Sequence, residues 1–180
     1  MVVSWSGSES ALGYRVYRNV TNDVASVLQI SDDLIDLSYQ DTNVVPGELY
    51  YYWVGSFNDL GPSEFSSNDT GYARLAAPTG LNATDGIYSN YVELTWTAPT
   101  GAIGFIVLRN TNSDVSAAST IGMPTNTLFR DGLVVPGRIF HYWVKAIAHA
   151  GTSEPSEPDT GFAGLPAPPG FSATDGTYTD

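Results

Sequence analysis

The sequence has no cysteine and a single lysine, Lys145, among 180 residues. Without thiols the chain forms neither disulfides nor thiolate metal centres, so packing and strand ladders must hold it together. Seven basic residues face nineteen acidic ones, a net charge of -12. That balance repels phosphate backbones and anionic lipid, and excludes nucleic acid and membrane surfaces as partners. No apolar run approaches the ~20 residues that cross a bilayer. Met1-Val2-Val3-Ser4-Trp5 lacks the basic start and apolar stretch of a secretion signal, so an exported protein would carry its signal outside this sequence. Helical periodicity is sustained nowhere, which leaves an all-β chain.

Repetition is what the sequence has in abundance. Val44-Val45-Pro46-Gly47-Glu48-Leu49-Tyr50-Tyr51-Tyr52-Trp53-Val54 returns as Val134-Val135-Pro136-Gly137-Arg138-Ile139-Phe140-His141-Tyr142-Trp143-Val144. Each copy reads as a Pro-Gly turn feeding a strand of aromatic and β-branched residues. Upstream, Val3-Ser4-Trp5 matches Leu94-Thr95-Trp96, and Gly13 to Asn19 matches Gly104 to Asn110, both at an offset of 91. The offset is 90 by Asp41 and Asp131, the loss of one residue that a surface connection tolerates. Strand alternation turns Met1, Val3 and Trp5 inward, then Tyr14 and Val16 (Phe105 and Val107), then Tyr39 (Phe129). Two units of about 90 residues can each bury a real core.

In the long aromatic strand a period of two sends Tyr50, Tyr52 and Val54 (Phe140, Tyr142, Val144) into the core. Tyr51 and Trp53, with His141 and Trp143, then point outward. Between the copies, Ala77-Pro78-Thr79-Gly80-Leu81-Asn82-Ala83-Thr84-Asp85-Gly86-Ile87-Tyr88 reads as a proline-marked entry, a short strand with Leu81 and Ala83 inward, and an Asp-Gly turn. The segment recurs as Ala167 to Tyr178, and nothing like it precedes Val3.

Tryptophan in an early strand, Tyr-x-Val in the next, Pro-Gly-x-x-Tyr before the long strand and Gly-x-Ser after it resemble the fibronectin type III domain over essentially the whole chain. Thr-Asp-Gly-x-Tyr, Tyr-Tyr-Trp-Val and Asp-Thr-Gly-Tyr resemble in particular the tandem fibronectin-like modules of secreted bacterial surface proteins. The resemblance implies immunoglobulin-like sandwiches of about seven strands in two sheets. It implies that the Tyr50 hydroxyl ties its strand to nearby backbone, which Phe140 cannot do. It also places Tyr17 and Leu108 beside Tyr51, Trp53, His141 and Trp143 as an apolar stripe on an outer sheet face. The stripe reads either as cross-strand pairs that stabilise the sheet or as a contact surface for another copy of the chain or a sugar ring.

The domain reading is therefore 1–75, a module lacking its first strand; 76–165, a complete module; and 166–180, the first strand of a following module, continuing or donated. Module one would expose sheet edge around Val3 and Trp5, and the segment carrying Pro168, Phe171, Ala173 and Tyr178 is of the kind that would cover it. A module one short of that strand is expected to be poorly folded in an isolated monomer.

Chemistry is sparse. His141 and His149 stand opposite Tyr51 and Asp59 in the other copy, with no ligand constellation around them, and read as surface histidines. Neither the acidic run Asp32-Asp33-Leu34-Ile35-Asp36 nor the Asp-Gly turns at Asp85 and Asp175 has the spacing of a dedicated calcium loop. No cofactor is expected, and calcium at the inter-module aspartates is the one candidate. The sequons at Asn19, Asn68 and Asn82 have no counterpart in the second copy.

These readings converge on a non-enzymatic structural or adhesive repeat of an extracellular fibre, stalk or filament. It would partner copies of itself head to tail, with surface glycans or other cell-surface proteins as further partners. The alternative is a carbohydrate-binding or spacer module of a secreted polysaccharide-degrading enzyme.

Overall fold

The computed structural model describes residues 1–170 and residue 172. Module one comprises β1 (Val2–Ser4), β2 (Gly13–Asn19), β3 (Leu28–Gln29), β4 (Ser38–Gln40), β5 (Tyr50–Asn58), β6 (Gly61–Pro62) and β7 (Asp69–Gly71). Module two comprises β8 (Thr79–Ala83), β9 (Val92–Thr97), β10 (Gly104–Asn110), β11 (Ser119–Gly122), β12 (Leu128–Asp131), β13 (Phe140–Ala148), β14 (Gly151–Thr152) and β15 (Asp159–Gly161). All named strand pairs are antiparallel.

The larger sheet of each module is the same object built twice. In module one the order is β3-β2-β5-β6, with β7 also on β5; in module two it is β11-β10-β13-β14, with β15 on β13. The registers coincide, Val16 opposite Val54 and Tyr17 opposite Trp53 in one, Val107 opposite Val144 and Leu108 opposite Trp143 in the other. The smaller sheets differ. Module two has three strands, β12-β9-β8, and module one has two, β1-β4.

That difference shows in the cores. In module two Leu94, Trp96, Phe105, Val107, Tyr142 and Val144 are buried, with Ala83 and half-buried Leu81 of β8 closing the layer. Module one buries Val16, Tyr50 and Tyr52, while Val3, Trp5 and Val54 are only half-buried against them. Inward faces follow the strand alternation, since a pleated strand sends alternate residues to one side. Met1 stands at the place of Val92, and its longer side chain lies over Gly71 as Ala83 and Val92 together lie over Gly161.

Each module is clamped across its two sheets by one buried ion pair. Asp41 is buried and accepts from Arg18 Nη1 at 2.6 Å, from the Tyr52 hydroxyl at 3.0 Å and from the Asn43 N–H at 3.0 Å. Asp131 does the same with Arg109 at 2.6 Å, Tyr142 at 3.1 Å and the Leu133 N–H at 3.0 Å. Each arginine also donates to a loop carbonyl, Asn43 or Leu133, and lies over the ring of Tyr50 or Phe140. The carboxylates are thus saturated with donors, which a buried charge requires. Burial, and then the neighbouring carboxylate, push the Tyr52 and Tyr142 phenols well above the usual tyrosine range.

Candidate functional site

Three places were singled out by the sequence, and the structure treats them differently. The outer aromatic stripe is corrected in one respect. Trp53 and Trp143 are 4% and 3% exposed, so neither presents an indole face to a sugar ring. The alternation does send them outward, but their neighbours cover them. Trp53 stacks on Tyr51 with centroids 6.3 Å apart and lies directly across from Tyr17, whose ring meets Phe65 edge-on at 4.7 Å. Tyr17 and Phe65 lie over Gly55 of β5. Trp143 stacks on His141 at 6.2 Å and faces Leu108. Tyr17, Tyr51, Leu108 and His141 are half-buried, and such cross-strand pairs contribute ~0.2–1 kcal/mol each to a sheet.

The Pro-Gly turn before β5 is fixed as the resemblance implied. The Val45 N–H donates to the Tyr50 hydroxyl at 3.1 Å. Asp85 pairs by backbone with Phe162 inside module two, and Asp175 lies outside the described residues. Among the described residues no group of three or more His, Cys, Asp or Glu could hold a metal ion. Asp33 of the acidic run is hydrogen-bonded to Arg15 at 2.6 Å, which holds its carboxyl below the usual range. Asn19 is engaged in its own turn, donating to Asp23 O and Ser26 Oγ at 3.0 Å. No helix of the described residues is long and apolar enough to cross a membrane.

The second place is the side of module one that corresponds to the β8 side of module two. Met1, Val3, Trp5, Tyr52, Asp69 and Thr70 border an open cleft of about 320 Å³. In module two the corresponding side carries β8, which pairs with β9 as Asn82 opposite Thr95 and Ala83 opposite Leu94. There the Asp159 carboxylate accepts the Ala83 N–H at 2.8 Å. Asp69 is the repeat partner of Asp159, stands at the cleft, and its Oδ1 accepts the N–H of Thr70 at 2.8 Å. Pairing groups on β1, apolar floor and carboxylate acceptor are therefore assembled together. Of the predicted complementing residues, Val3 and Trp5 are in this cleft and Pro168 is exposed, whereas Phe171, Ala173 and Tyr178 lie outside the described residues.

The third place is the junction, where the turn carries a role that strand periodicity does not reveal. The Gly47 carbonyl accepts the Ala150 N–H of module two at 2.8 Å, while the Gly47 N–H donates to Ala73 O at 2.8 Å. A Cβ on Gly47 would overlap the Ala148 methyl, and one on Gly101 would overlap the Pro46 carbonyl oxygen. Leu75 packs over Gly47 and is buried in the core cluster of module two. The sequence signal is in the small residues Gly101, Ala148 and Ala150 at one module end, Ala148 closing β13 and the other two in loops.

No family model matches the chain. A curated relative, an amylopullulanase of Thermoanaerobacterium saccharolyticum, is 33% identical over 78 residues, 43% of this chain; the match spans only 6% of that relative's length. Among solved structures, a fibronectin-like protein of Clostridium thermocellum is 31% identical over 52% of this chain and 95% of its own, at a TM-score of 0.44. A two-domain fibronectin type III segment of chicken tenascin is 15% identical with a TM-score of 0.70, covering 88% of this chain and 89% of its own. That last likeness spans both units in their order, and with the repeated sheet registers it shows that the chain has the fold of a tandem of fibronectin type III-like modules.

Proposed function

We propose that the chain is a stiff, non-catalytic spacer in a tandem array outside the cell, with module one completed by a β8-like strand from its neighbour. The observation that carries this reading is the junction. Its backbone hydrogen bond, interlocked glycines and shared Leu75 support one rod rather than two beads on a linker. A cleft with a strand edge, an apolar floor and the Asp69 acceptor supports β-strand addition, from the preceding part of the same chain or from another copy head to tail. The acidic surface, with a single lysine and no cysteine, suits an exterior location.

A second reading is favoured by the amylopullulanase match, in which the same rod spaces the domains of a polysaccharide-degrading enzyme. With both tryptophans buried, glycan binding through the aromatic stripe loses its main support. Intact mass and sequencing of the native protein separate the possibilities. About 19.2 kDa indicates a subunit that exchanges strands. A larger mass with further repeats indicates a continuous array, and a neighbouring hydrolase domain the second reading. Hydrolytic activity retained by residues 1–180 alone would overturn both.

A further inference from the structure

The turn that module one uses to hold module two is present again at the far end of module two, uncovered among the described residues. Gly137 donates to Ala163 O at 2.8 Å as Gly47 does to Ala73 O, and Leu165 packs over Gly137 as Leu75 packs over Gly47. The two leucines then diverge, because Leu75 is 6% exposed beneath module two while Leu165 is 77% exposed. Gly137 and Val135 are exposed with it. The linker that follows is repeated too, Ala77-Pro78-Thr79-Gly80 as Ala167-Pro168-Pro169-Gly170.

We propose that Val135, Pro136, Gly137 and Leu165 form a docking surface for a third module of this fold. Its matching end carries glycine at the place of Gly101 and alanine at the places of Ala148 and Ala150. The occupant follows from the junction already formed, where those three positions leave space for the Pro46 carbonyl, the Gly47 backbone and the hydrogen bond from Ala150. Module one does not satisfy the same rule, since its own corresponding residues are Ser10, Asn58 and Leu60. Ser10 shares the left-handed backbone of Gly101, φ 59° against 90°, so its Cβ would point at the incoming carbonyl; Leu60 replaces a methyl with a side chain 96% exposed. The surface therefore selects a module of the second type over the first module of another copy, so of the two forms of the array reading it goes with the continuous array and against head-to-tail exchange between copies.

The proposal rests on the array reading only for the existence of a following module, and that is settled by native mass and sequence. Docking is tested separately by splicing a second copy of residues 76–165 after Leu165, so that the short linker keeps the added module at high effective concentration. The absence of cysteine allows clean spin-label pairs. L28C with S119C reports the first junction, and S119C with the same position of the added copy reports the second. Electron–electron distance measurements are expected to give equally narrow distributions with the same mean, and A148L in the added copy should broaden only the second. A broad second distribution from an added module that shows its own two indole resonances would overturn the proposal. So would an added module that fails to fold there, because the identical sequence folds beside Gly47.

Discussion

Replacing Arg109 with methionine should be among the most damaging single changes available in module two. Methionine retains much of the aliphatic stem but removes the guanidinium, which lies over the Phe140 ring and stands 2.6 Å from an Asp131 carboxylate that is 3% exposed. The remaining donors, Tyr142 and the Leu133 N–H, cannot neutralise it. Breaking a buried pair from one side costs about 3–5 kcal/mol. For a domain of this size, ~4–8 °C per kcal/mol makes that a fall of at least about 12 °C in the melting temperature of module two. Tyr142→Phe removes one hydrogen bond to a charged group and should cost about 1.5–3 kcal/mol. Removing both charges together, Arg109→Met with Asp131→Leu, should recover much of the single-mutant loss, because no orphan charge remains. The four tryptophans, two per module, give four indole N–H resonances, so thermal or urea unfolding followed by NMR assigns each loss to its module. A cost below about 1 kcal/mol for Arg109→Met, or a double variant as unstable as the single, would refute the claim that the pair is a buried clamp.

The peptide Ala77 to Tyr88, added to the intact chain, should raise the stability of module one alone, by about 2.7 kcal/mol at a hundredfold excess over its dissociation constant; the effect should fall with Asp69→Ala, and no shift in the Trp5 and Trp53 transitions would count against strand addition. Stability should also decline in alkali. The Tyr52 and Tyr142 phenols are raised in the folded state, so their contribution is complete below the ordinary phenol value of about 10 and is lost as pH climbs toward the folded values. Denaturation midpoints from pH 8 to 12 should show the decline beginning near pH 10, with a smaller drop in Tyr142→Phe. Finally, Trp143→Ala should cost about 3–5 kcal/mol as a buried large-to-small change, and a variant of unchanged stability would show that the indole is not packed as described.

Much of this was legible from residues alone, because the two copies supply each other's control. Period-two alternation placed the inward residues of β2, β5, β10 and β13 on the core side, and the Pro-Gly-x-x-Tyr spacing located the Tyr50 hydroxyl contact. Alternation gives the face of a strand but not what neighbouring strands lay over it, so Trp53 and Trp143 read as exposed although Tyr17, Tyr51, Phe65, His141 and Leu108 surround them. The Arg-Asp-Tyr clamp joins residues 23 apart across two sheets for Arg18 and Asp41, and 22 apart for Arg109 and Asp131. Only the recurrence of those residues in both copies hinted at it. The junction was least legible. Its determinants are absences of side chain, at Gly47 and Gly101, and an absence carries meaning only once the opposing surface is known.

Leu75 belongs by sequence to the strand exit of module one and by burial to the interior of module two. Melting module two would return that side chain to water and uncover the turn beneath it, so each module's free energy contains a term owned by its neighbour. Along an array of such joints, unfolding would spread by adjacency, and a module in the middle would outlast the same module at an end.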